Sequence, residues 1–130
     1  MSVSAEDFLS QSGTLCESAD EIAFRSSISR GYYAAYHKAE IAAQDLQLPV
    51  IKRVDGGVHE QLIRRFEGVG PGLRKIARRL RDRKRLRAMA DYQLSEEVSR
   101  EEAQLNLLEV TRLMSDLDRI RCSSTTTAKS

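Results

Sequence analysis

Arg30 and His37 stand seven residues apart in a stretch without proline, and their types and spacing could do chemistry. On a helix, seven residues turn through about 700°, so the two side chains differ by roughly 20° in direction and ~10 Å in height. The long arginine can reach along the helix to close that gap. An imidazole takes or gives a proton near neutral pH. A guanidinium grips a phosphate and stabilises charge developing on it. Together they are the minimum set for cleaving a phosphodiester without a metal. The structural alternative is that His37 bonds a neighbouring helix and Arg30 sits in an ion pair.

The element that must carry this pair runs from a cap at Asp20 to about Leu46, interrupted only by Gly31. That is roughly 26 residues, or about 39 Å of helix. Counted at 100° per residue, Ile28, Tyr32, Ala35, Ala39, Ala42 and Leu46 form one core-facing stripe. Ala23, Ser26, Arg30, Tyr33, Ala34, His37, Ile41 and Gln44 form a second stripe behind it. Ser29 and Glu40 flank one side, and Ser27, Lys38 and Asp45 the other. Two stripes imply contacts on both sides, the second with another helix or with a second copy of the chain.

The remaining pattern is helical throughout. Ser4 with Asp7 matches a capping box opening a first helix to about Glu17. Gln47 to Gly57 reads as a loop, Val58 to Phe66 as a short helix, and Leu73 onward as another helix. A break is expected between Met89 and Val98, before a final helix capped by Ser99 and Glu102. The sequence predicts an all-α bundle of four to five helices over residues 1–121, with Cys122–Ser130 as a disordered Ser/Thr tail. No apolar run suits a membrane span, no signal pattern opens the chain, and the two cysteines suit free thiols, so a cytoplasmic protein is expected.

The net charge of +2 hides an asymmetry. Arg64 to Arg87 holds eleven Lys/Arg against Glu67 and Asp82, a local balance of +9. This segment either faces nucleic acid or is neutralised beside the acidic last helix. Arg87 and Asp91, four residues apart, suit an intrahelical ion pair or, alternatively, contact with RNA. Ser26, Tyr33 and Arg87 are candidate binding residues, with Tyr33 best placed to stack a base and Tyr32 expected in the core. His59 reads mainly as a packing or helix-end residue. Two histidines, no cysteine pair and no His-Glu-x-x-His spacing give no metal site, and Gly68–Gly72 lacks the Lys-Ser/Thr of a phosphate loop. No cofactor is expected.

The run Ser29-Arg30-Gly31-Tyr32-Tyr33-Ala34-Ala35-Tyr36-His37 resembles the signature of HEPN domains (higher eukaryotes and prokaryotes nucleotide-binding). It is most similar to small stand-alone prokaryotic members. His59 ahead of Leu62, Ile63 and Phe66 fits that subgroup, as does Arg87-Ala88-Met89-Ala90-Asp91-Tyr92 followed by a last helix. The resemblance covers about residues 6 to 118. It implies a helical bundle that commonly dimerises across its long helix. It also implies a metal-independent endoribonuclease, with catalytic Arg30 and His37 from both copies meeting one RNA phosphate. Toxin–antitoxin or defence roles, with an antitoxin or nucleotidyltransferase partner, come with that family. So do members that bind nucleotide, RNA or protein without cleaving, and a ligand-free dimeric scaffold is a third reading. This chain departs at Gly31, where active members usually carry a polar residue. It departs again at Ala39, where members paired with a nucleotidyltransferase carry a modifiable tyrosine.

Overall fold

The computed structural model describes residues 2–52 and 55–129, with side chains through Ser123. Five helices follow one another: α1 (Ala5–Cys16), α2 (Glu21–Asp45), α3 (Gly57–Glu67), α4 (Pro71–Tyr92) and α5 (Arg100–Lys129). Among the described residues there is no strand, and no helix is long and apolar enough to cross a membrane. The chain is an all-α bundle.

Local chemistry sets the boundaries. The Ser4 hydroxyl accepts from the Asp7 amide at 3.3 Å while the Asp7 carboxylate accepts from the Ser4 amide at 2.8 Å, completing the expected capping box. Asp20 holds the cap position of α2, but its side chain makes no capping bond. Gly70 adopts φ +139, a conformation open to glycine, and Pro71 then supplies the first residue of α4. The expected break follows Tyr92, and the Ser99 hydroxyl accepts from the Glu102 amide at 3.1 Å as α5 begins. Where the sequence predicts a disordered tail from Cys122, the backbone continues α5 to Lys129; no Gly or Pro interrupts it. The side chains of 124–130 lie outside the described residues, as do residues 53–54 of the α2–α3 loop.

Helix α2 runs through the centre, with α1, α3, α4 and α5 packed around it. Ile28, Tyr32, Ala35, Ala39 and Ala42 are buried as the stripe requires; the three alanines share a core with Phe66, Leu80, Leu113 and Leu117, and Ile28 packs in a second one with Phe24, Ala90 and Val98. Ser27 and Lys38, expected on a polar flank, are buried as well. The cause is that α1 and α5 both close over that side. Ser12 and Ser27 each donate a hydroxyl hydrogen bond to the other's carbonyl, at 2.7 and 2.8 Å, and the Cys16 thiol lies 3.0 Å from the Ser27 hydroxyl. Lys38 pairs with Glu6 of α1 and, at 3.1 Å, with Asp118 of α5. Burial opposes the Lys38 charge, yet the two carboxylates outweigh it and raise its pKa above the ordinary lysine value.

Arg25 ties the far end together. Its guanidinium donates to the carbonyls of Ala90 at 2.9 Å, Gln93 at 3.2 Å and Glu96, and to the Glu21 carboxylate. One buried cation thereby fixes the α4–α5 connection against α2.

Candidate functional site

The second stripe of α2 is the part the bundle leaves open. Arg30 is exposed, Ser26, Tyr33 and His37 are half-buried, and Ile41 and Gln44 are exposed; Ala34 alone of the central positions is fully covered. Arg30 has no carboxylate partner among the described residues. His37 donates from Nδ1 to the Glu40 carboxylate at 3.2 Å. A neutral ring held that way keeps its free lone pair on Nε2, ready to take a proton.

The two residues do not meet. Phe8 of α1 reaches over α2 between them, its ring 5.1 Å from the His37 ring and 5.8 Å from the Arg30 guanidinium carbon. Arg30 and His37 thus both pack against Phe8, and no hydrogen bond joins them among the described residues. Phe8 and Val3 help wall two surface hollows. One, of about 340 Å³, holds Arg30, Asp7 and Gln11; the other, of about 460 Å³, holds His37, Glu40 and Ile41.

Tyr33 lies 6.4 Å from the His37 ring and under the Arg87 guanidinium at 5.9 Å, so these three predicted residues are brought together. Arg87 pairs with Asp91 at 3.4 Å, as its spacing predicts, and also stacks over Tyr32 at 5.5 Å. Ser26 sits one helical turn from Arg30 with no side-chain hydrogen bond among the described residues.

Sequence reasoning missed Phe8, Glu40 and the position of His59. His59 approaches from α3, its Nδ1 2.7 Å from the Tyr32 hydroxyl and its ring 4.7 Å from Tyr36. Glu40 could have been found, since an i,i+3 partner is visible in the sequence. The others depend on how α1 and α3 cross α2, which no spacing within α2 reveals.

Gly31 does not face this surface. A Cβ there would lie 2.9 Å from Asn106 Nδ2 and 3.2 Å from the Ser12 hydroxyl, inside the α1–α2–α5 contact. A polar side chain after Arg30 has no room in this bundle. Ala39 is likewise fully buried.

The basic segment is only partly neutralised, and more by α3 than by the acidic last helix. Glu60 receives Arg64, Arg81 and Lys84, and Glu67 receives Arg81 at 2.8 Å. Among the described residues only Arg79, to Asp116 at 2.8 Å, makes an ion pair from that segment to α5. Arg74, Arg78, Arg81 and Arg85 line a 230 Å³ hollow with Glu67 and Asp82 on the outer face of α4.

Comparison of the chain with protein-family models, curated proteins and solved structures gives no match.

Proposed function

We propose that the chain is a HEPN-type, metal-independent endoribonuclease that acts as a homodimer joined along the open stripe of α2. One observation carries this: Arg30, without a carboxylate partner, and His37, its Nδ1 held by Glu40, lie on the one arc of the central helix that the bundle leaves uncovered. His37 Nε2 takes the proton of a ribose 2′-hydroxyl, the 2′ oxygen attacks phosphorus, and the bond to the 5′ oxygen breaks as that oxygen takes up a proton from water. Arg30 holds the phosphate and stabilises its added charge. The products are a 2′,3′-cyclic phosphate and a 5′-hydroxyl.

The test is cleavage of a mixed RNA by purified protein in EDTA, with Arg30→Ala and His37→Ala alongside. Cleavage by the wild type and loss of about 100-fold or more in either variant is expected. Intact RNA at high protein concentration overturns the catalytic reading. A strictly monomeric species by light scattering overturns the dimer.

Phe8 favours a second reading, in which the same surface binds RNA or nucleotide without turnover, because its ring stands where the two groups would have to converge. RNA retention without cleavage distinguishes it.

A further inference from the structure

The bond between Tyr32 and His59 favours one nitrogen of His59 as the carrier of its proton. Tyr32 is buried, and burial drives its phenol far above the ordinary tyrosine value, so it stays protonated. A phenol has one proton to donate, and among the described residues its hydroxyl engages only His59 Nδ1, at 2.7 Å. Burial first, then the Arg87 and Lys84 cations, hold His59 below the ordinary histidine value; Glu40 opposes them and His37 adds to them. A neutral imidazole that accepts at Nδ1 carries its hydrogen on Nε2. This is the opposite tautomer to that of neutral His37, and its N–H has no acceptor among the described residues.

A second unpartnered donor stands close by. Arg87 Nε is buried and bonded to nothing among the described residues, while its guanidinium covers the Tyr32 and Tyr33 rings. Buried donors without acceptors are rare in folded proteins, and Arg87 Nε is one, beside the half-buried His59 ring whose N–H is open to an acceptor from outside. A neutral N–H beside a guanidinium suits an anionic oxygen. The cluster also links this pair to the first one: Tyr36 lies 5.3 Å from His37 and 4.7 Å from His59, and Tyr33 lies 6.4 and 5.9 Å from the same two rings. Aromatic faces between two donor sets fit a strand whose bases stack between successive phosphates.

We propose that His59, donating from Nε2, and Arg87 bind a second phosphate of a single RNA strand that also crosses Arg30 and His37. The proposal shares the RNA ligand of the proposed function but does not need turnover.

Its first test is the nitrogen spectrum of the His59 ring in the labelled wild-type protein, where the proton is expected on Nε2. Its second is binding of a fluorescent 2′-O-methyl oligoribonucleotide, which cannot be cleaved. His59→Ala is expected to weaken binding about 5- to 10-fold, and His59→Gln, whose amide keeps an N–H near Nε2, to restore most of it. A proton on Nδ1, no oligonucleotide binding by the wild type, or His59→Ala within twofold of wild type overturns the proposal. So does a His59 signal that moves with inorganic phosphate but not with the oligonucleotide. Absence of RNA cleavage with His59-dependent binding intact removes the ribonuclease alone.

Discussion

The Phe8 ring lies 5.1 Å from the His37 imidazole, tilted by 46°, and the same ring carries the Arg30 guanidinium at 5.8 Å. One side chain from α1 thus touches both of the groups on α2 that helical spacing puts on one face. Phe8→Ala is expected to raise metal-free RNA cleavage several-fold at a stability cost of about 1–2 kcal/mol, less than for a fully buried phenylalanine. Initial rates and urea denaturation measure the two effects. A slower variant with unchanged RNA affinity would mean that the ring aids turnover and does not obstruct it.

Gly31→Ala pits two effects against each other. Alanine in a helix interior gains about 1 kcal/mol over glycine. Here its methyl would press on Asn106 Nδ2 at 2.9 Å, and Asn106 cannot swing away freely because its Oδ1 accepts from Arg83 at 2.7 Å. Overpacking costs roughly 1–3 kcal/mol, so net destabilisation of up to about 2 kcal/mol is expected. In an Asn106→Ala background the same change should become neutral or stabilising. A double-mutant cycle by chemical denaturation checks that coupling.

Arg25→Met is expected to destabilise the fold by about 3 kcal/mol or more, since three carbonyls lose their shared donor. Arg25→Lys should recover less than half of this. An ammonium is a point charge and cannot reach Ala90, Gln93 and Glu96 as two guanidinium nitrogens do. Thermal unfolding of the three proteins gives the order, and a lysine variant as stable as wild type would contradict it.

Stability should fall in two separate stages on acidification. His59 titrates below its unfolded value of 6.5, so the unfolded chain takes up a proton first. Its contribution is complete above pH 6.5 and is lost as pH falls through the folded value. Glu6, held down first by Lys38, and Asp116, held down first by Arg79, are lowered from 4.5 and 3.8. Their contributions are lost only at lower pH, as each folded value is passed. Denaturation midpoints across this range should show both stages, with the upper one missing in His59→Gln.

Periodicity made the all-helical fold legible, because Ile28, Tyr32, Ala35, Ala39 and Ala42 repeat at helical spacing and are buried together. The same pattern exposed Arg30 and left His37 half-open. Arg25 and Lys38 were not legible as buried residues, since each depends on partners from other elements: carbonyls at and beyond the end of α4 for one, Glu6 and Asp118 for the other. His59 was similarly hidden, for its partner Tyr32 lies 27 positions away. Local spacing describes what one helix offers; it does not describe what crosses it.

The reciprocal hydroxyl bonds between Ser12 and Ser27 act as a detent on the α1–α2 contact. Sliding α1 by one turn, about 5.4 Å, would strand both hydroxyls without acceptors in a dry interface. Intermediate positions satisfy neither. The helix has one address, and Phe8, one turn upstream of Ser12, inherits it. A seam of small polar residues on the closed side of α2 thereby sets where the Phe8 ring stands against Arg30 and His37 on the open side.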